Sequence, residues 1–153
     1  MTLDSTSRES NAKDSFKKHL VDSIKGNEGV EVNFDKGLNV PNIQGTAVNR
    51  WVAVQWGQLL PGKLTTLHAA IYVCTRNDPE GYRRSQLRDK VVGYLTDPNE
   101  EFRRITHYKS NDTPWTRIGT MMVYCDPESG DMEADDGTKF KIIPIRLRWA
   151  AKP

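Results

Sequence analysis

The chain has 153 residues, with 22 Lys plus Arg against 20 Asp plus Glu, a formal charge of +2, 37% hydrophobic and 27% charged residues. That is the length of one ordinary domain, enough to bury a core, and the composition excludes a disordered chain. The near-balance of charge argues against a chain built to neutralise a long run of phosphates, and no apolar run approaches the ~18 residues that span a bilayer.

Residues 1–10 are polar and charged and read as a flexible N-terminal arm, with residues 11–153 as a single domain. The opening MTLDSTSRESNAKDS has no apolar core of a secretory signal, so residence in the cytoplasm is expected. From Ala12 to Lys25, Phe16, Leu20 and Ile24 recur every four residues, joined by Val21. That spacing makes one face of a helix, with Gly26 suited to its C-terminal cap. Val30, Val32 and Phe34 alternate with Glu31 and Asn33 and predict a short strand, and Asp35–Val48, with Gly37, Pro41 and Gly45, reads as a long loop.

Trp51–Leu60 and Leu64–Thr75 predict a hairpin around Pro61-Gly62. In its second strand Leu67, Ala69, Ile71 and Val73 share one face, and His68, Ala70, Tyr72 and Cys74 the other. Both sets are largely apolar, which predicts a central strand covered on both sides for much of its length. Asp78 is placed to cap a helix with Pro79 at its first position. Leu87, Val91 and Leu95 form that helix's buried stripe, and Arg83, Arg84 and Arg88 are left for its outer face. The last third predicts strands at Phe102–Tyr108, Trp115–Cys125 and Thr138–Trp149, the last two joined by an acidic connection. Pro144 cannot donate to a ladder, so it argues for an edge or a bulge. The outline is an α+β single domain, a mostly antiparallel β-sheet with two α-helices packed on it.

The chemistry-bearing residues do not form catalytic patterns. The hairpin-to-helix corner has no glycine-rich phosphate loop, no nucleophile elbow and no metal-spaced His/Cys cluster, and no serine stands in a G-x-S-x-G context. His19, His68 and His107 have no ligand spacing, and Cys74 and Cys125 lie inside apolar strand patterns as buried reduced thiols would. The acidic group Asp126, Glu128, Asp131, Glu133, Asp135 and Asp136 invites a Ca²⁺ loop, but counted from Asp126 the sixth position is Asp131 where glycine is needed, and the twelfth is Gly137 where a Glu belongs. A solvated hairpin tip fits better. The expectation is a protein with no enzymatic activity, cofactor or metal.

Arg76, Arg83, Arg84 and Arg88 gather at the hairpin-to-helix corner, interleaved with Tyr82 and Tyr94. Three readings are open there: an ordinary solvated face, a contact with nucleic acid, or a protein interface, for which Arg, Tyr and Trp are favoured anchors. Trp51 and Trp149, at expected strand ends, suit a core or an interface equally.

The pattern RWVAVQWG…GKLTTLHAAIYVCTRNDPEGYRRSQLRDKVVGYL, followed by a β-rich C-terminal third, resembles the tail terminator proteins of long-tailed phages, of the phage lambda kind. The resemblance runs from about Phe16 to Trp149 and lies in the order and length of elements. It implies a structural virion protein: an α+β subunit forming a homohexamer ring on the head-proximal end of the tail tube. Such a ring stops tube polymerisation and presents the surface that the head–tail connector joins. The implied partners are the protein itself, the tail tube protein and the connector or neck protein, with DNA only passing through the lumen and no membrane. Assembly in the host cytoplasm and a place in the virion follow. Under this resemblance Arg76, Arg83, Arg84, Arg88, Trp51 and Trp149 are candidates for the subunit or tube interface. The acidic residues from Asp126 to Asp136 are candidates for a lumen-facing loop that keeps DNA from sticking. The alternatives are another neck adaptor or head-completion protein, and a small DNA-binding domain using the basic corner.

Overall fold

A computed structural model describes residues 8–34, 49–110 and 113–150. The expected loop over 35–48 and most of the expected N-terminal arm lie outside the described residues.

Helix α1 (Arg8–Leu20) begins inside the segment read as a flexible arm. Its Ala12, Phe16 and Leu20 are fully buried, and a π-helical turn (Val21–Lys25) adds Ile24 to the same stripe. The wider turn carries the helix past the expected cap. Gly26 is ordinary right-handed helix, and a short helical turn α2 (Gly26–Glu28) ends instead at Gly29, whose φ of 66° a side chain would strain. Gly29 N donates to Lys25 O at 3.1 Å and Val30 N to Ile24 O at 3.3 Å, closing that end.

Seven strands follow: β1 (Glu31–Phe34), β2 (Arg50–Leu60), β3 (Leu64–Thr75), β4 (Arg103–Lys109), β5 (Thr116–Cys125), β6 (Met132–Glu133) and β7 (Lys139–Ala150), with α3 (Tyr82–Leu95) between β3 and β4. They make one sheet in the order β1-β2-β3-β7-β5-β4, with the short β6 paired to β7. Only the β1–β2 pair is parallel. This is the single α+β domain that the sequence predicts.

The long β3–β7 pair, in register from Leu64↔Ala150 to Thr75↔Lys139, is the spine of the sheet. On β3 the expected inner face is buried, whereas His68, Ala70 and Tyr72 are only half-buried. Covering on both sides therefore holds at the Cys74 end of β3 and fails over the rest. β7 is likewise no edge strand, contrary to what Pro144 suggests. Residue 144 faces Ala70 across β3, and its carbonyl accepts Asp126 N at 2.9 Å on the other side, just past the last β5 pair, Cys125↔Ile145. In a strand the N and C=O of one residue point the same way. The missing N–H of Pro144 therefore faces the place where the β5 ladder has already ended.

The sheet curls, and α1 covers its β4 edge. Ser15 Oγ accepts Tyr108 N at 2.8 Å, and Asn11 Oδ1 accepts Ser110 N at 3.1 Å. Both helix residues are buried. An open strand edge invites pairing with foreign chains; here two polar side chains one helical turn apart satisfy alternate amides along it. Between helices and sheet lies one apolar core, in which Phe16, Ile71, Val91, Met121, Ile143 and Trp149 are large members.

Candidate interaction surfaces

The turn after β3 is organised by Asp78. Its carboxylate accepts from Thr75 Oγ1 (3.1 Å), Arg83 N (3.2 Å) and Arg84 N (2.9 Å). Burial pushes this carboxyl up, but the three donors outweigh burial and hold it below the usual range. Asp78 thus caps the helix as its sequence position suggests, though from further away. Residues 79–81 form a turn, α3 starts at Tyr82, and Pro79 is not helical. Gly81 stands at the junction with φ 73°, and a Cβ on it would lie 2.5 Å from Arg84 Nη2. Its missing side chain is what lets the Arg84 guanidinium fold back over the turn.

That guanidinium is not on an outer face. Arg84 is 8% exposed, donates to Met132 O at 3.4 Å and reaches Asp131 at 3.2 Å. Arg88 is half-buried and holds Glu128 through Nε at 2.7 Å and Nη2 at 2.5 Å, the forked geometry that makes Arg–carboxylate pairs strong. Arg88 depresses the Glu128 carboxyl below its ordinary value. Arg76 pairs with Asp136 at 2.6 Å, and Lys139 Nζ donates to Pro79 O at 2.9 Å. Asp136 is held at about 2, chiefly by hydrogen bonds from Thr138 and then from Arg76. Asp126 accepts Arg146 Nε on both oxygens at 3.1 Å. Arg83 donates to the Asn77 carbonyl.

The basic corner and the acidic connection, which the sequence presents as two separate surfaces, are therefore one intramolecular seam. Four of the six carboxylates of the connection, Asp126, Glu128, Asp131 and Asp136, meet Arg146, Arg88 with Lys141, Arg84 and Arg76 respectively. A bare acidic tip and a free basic corner for phosphates are both corrected by this pairing. Glu133 and Asp135 alone remain exposed without a cation on them among the described residues. Sequence reasoning missed the seam because its partners stand 40 to 60 residues apart (Arg88–Glu128, Arg76–Asp136), and no local spacing links them.

Trp51 and Trp149 are 0% and 1% exposed, so neither is presented to a partner. Trp149 lies in the core, edge-on to His107 at 6.2 Å. Trp51 sits on the opposite face of the sheet, in the row Trp51–Cys74–Phe140. His19 is half-buried; its Nε2 donates to Tyr94 O at 2.8 Å, and burial lowers its pKa, so it serves as a neutral donor tying α1 to α3. Cys74 and Cys125 are free thiols, pushed up by burial to about 12 and about 11. Among the described residues no group of three His, Cys, Asp or Glu is arranged to hold a metal ion, and no helix is long and apolar enough to cross a membrane.

The exposed large apolar side chains are unevenly placed. Of six among the described residues, Val21 and Tyr82 lie on the helical elements, while Leu60 (43%), Leu64 (37%), Trp115 (40%) and Ile118 (43%) stand at one end of the sheet, around the β2–β3 turn and the start of β5. There β5 runs past its last β7 partner, since Met122 already pairs with Arg148.

No family model matches the chain, and no curated protein matches it. One solved protein structure superposes with a TM-score of 0.64 over 96% of this chain and 99% of that chain at 9% sequence identity. At that identity the likeness shows a shared fold.

Proposed function

We propose that this protein is a structural virion part: a ring-forming subunit that caps the head-proximal end of a phage tail tube, stops its growth and offers the surface to which the head joins. The reading starts from the resemblance of the Trp51–Leu95 segment and its flanks to tail terminators. The observation that carries it is the gathering of Leu60, Leu64, Trp115 and Ile118 at one end of a sheet whose β4 edge is already closed by α1. A domain that seals its own edge yet leaves apolar groups together at one end is suited to bind another protein there. A head-to-tail contact whose rotation closes gives a ring, and one that does not close gives a filament. A terminator needs the first at the end of the second. Its partners on this reading are its own copies in a homohexamer, the tube subunit and the connector, with DNA passing through the lumen.

Electron microscopy of particles made with and without the protein tests this. Loss of a terminator gives tails of uncontrolled length or tails that never meet heads. Tails of normal length that merely fail to join would move the protein to the neck, as a connector or head-completion part. Normal, infectious particles lacking it would end the structural reading altogether.

A further inference from the structure

The long strands carry no carboxylate. β2, β4, β5 and β7 contain Lys or Arg, and none of these, nor β3, contains Asp or Glu. Register puts Arg148, Met122 and Arg104 in one row across β7, β5 and β4, with Arg146 and Tyr124 in the neighbouring row. Leu147 and Val123, their sequence neighbours, belong to the core, so these side chains take the opposite face, and none of them is buried. Further along, His107 pairs with Gly119 but Tyr108 with Arg117, which leaves Ile118 as the extra residue of a bulge. Bulges re-aim side chains. This one puts Arg117 on the face of Tyr108, which by alternation along β4 is the face of Arg104.

The cations of this face are unequally satisfied. Arg146 is held by both oxygens of Asp126, and Arg104 has Glu100 at 3.4 Å. Arg148 and Arg117 meet no carboxylate among the described residues. Arg148 is half-buried and lies 5.8 Å from the Tyr124 ring, its Nε shielded from water and hydrogen-bonded to nothing. Lys63, in the exposed turn before β3, is likewise without an acid. A partly buried cation without an anion costs stability until one arrives.

We propose that the uncovered face of β7, β5 and β4 is a phosphate-contact surface, on which Arg148 and Arg117, with Lys63 at the flank, hold the backbone of duplex DNA. Charge stands at the centre of this patch, and Leu60, Leu64 and Ile118 at its border. A protein interface has the reverse order, with charge depleted at its core, whereas nucleic-acid interfaces are polar and strongly positive. By strand spacing and rise, Arg148 stands roughly 10–15 Å from Lys63 and from Arg117. That separation suits phosphates facing each other across a duplex groove, ~12 Å wide on the major side. A single strand is held by free ring faces, and the Tyr124 ring already has Arg146 at 4.9 Å and Phe102 at 5.3 Å. So few cations hold only a short run of phosphates, which a formal charge of +2 permits, and backbone contacts read no sequence. The surface is independent of the ring reading: tail length tests that reading, and DNA binding tests this face.

The test is fluorescence anisotropy of a short random-sequence duplex titrated with the full chain at stepped salt. Neutralising one phosphate each, Arg148, Arg117 and Lys63 give an affinity expected to fall about fortyfold between about 50 and 200 mM salt. Arg117→Gln with Lys63→Gln leaves one of them and is expected to weaken binding and cut that fall to about threefold. Arg148→Gln is expected to weaken binding in the same way. The other two positions are exposed, so the test stays decisive if the variant at half-buried Arg148 fails to fold. Arg76→Gln, at the paired corner, is expected to bind as wild type does. No salt-dependent binding at about 0.1 mM protein overturns the proposal, and so does binding that the Gln variants leave unchanged or that Arg76→Gln removes equally. Single-stranded DNA bound more tightly than duplex overturns the choice of duplex. Poly-glutamate bound as tightly as DNA overturns the choice of nucleic acid and makes the face a site for an acidic protein.

Discussion

Replacing Ser15 by Ala tests the closure of the sheet edge. The hydroxyl is buried (1% exposed), accepts Tyr108 N at 2.8 Å and donates to Asn11 O at 2.7 Å. Asn11 O lies within α1, so losing that donor matters little, whereas the Tyr108 amide belongs to a strand edge and has no strand beside it. An orphaned buried donor costs about 1–3 kcal/mol. Ala is the better helix former, by about 0.5 kcal/mol, which offsets part of the loss. The net expectation is a destabilisation of about 1.5 kcal/mol, or about 3–6 °C in melting temperature for a chain of this size. Urea titration followed by far-UV circular dichroism measures the first, with Ser10→Ala on the exposed side of α1 as control. Hydrogen exchange at Tyr108 and Ser110 measures the second consequence, a loosened β4 edge, and light scattering the third, strand-mediated aggregation. A variant within 0.5 kcal/mol of wild type, with Tyr108 exchange unchanged, would refute the idea that α1 holds this edge by hydrogen bonds.

Gly81→Ala forces a side chain into φ 73° and onto the Arg84 guanidinium, so a loss of about 2 kcal/mol is expected in urea titration. An added Asp131→Asn should then cost less than it does alone, because the Arg84–Asp131 pair is already displaced. Asp78→Ala removes the acceptor for two α3 amides and is expected to cost about 1–2 kcal/mol by the same measurement. Asp78, Glu128 and Asp136 are all depressed in the fold, so the stability they contribute is complete above the unfolded carboxylate value of ~4 and is lost as pH falls toward about 2. Thermal melts at stepped pH should show the decline in that window and none between pH 6 and 8 from these groups. The Cys74 thiol, held at about 12 by burial, should resist a thiol reagent at pH 8 in the native chain and react promptly in urea.

Element type was legible wherever burial imposes a period. Phe16, Leu20 and Ile24 announce α1, and the alternation of Leu67, Ala69, Ile71 and Val73 announces β3, because each places apolar groups at the repeat of its own backbone. Element ends were less legible. A single π-helical turn shifts the exit of the first helix from Gly26 to Gly29, and the carboxylate of Asp78 caps α3 across an intervening turn. The role of a charged residue was the least legible of all. Arg84 looks solvent-facing in a helical wheel, yet it is buried because Gly81 leaves room and Asp131 arrives from far along the chain. Trp51 and Trp149, which as strand-end residues suited a core or an interface equally, are both buried, Trp149 in the main core and Trp51 on the opposite face of the sheet.

The same partition of charge constrains what the acidic connection can do in a ring. Four of its six carboxylates are engaged by cations of the chain itself, so the connection as a whole is not a negative wall. On the proposed ring reading, repulsion of DNA in the lumen by this connection would rest on Glu133 and Asp135, the two exposed carboxylates that no cation of the described residues engages. Lys at both positions is then expected to slow DNA ejection from assembled particles, and ejection at the wild-type rate would remove the connection from the lumen wall.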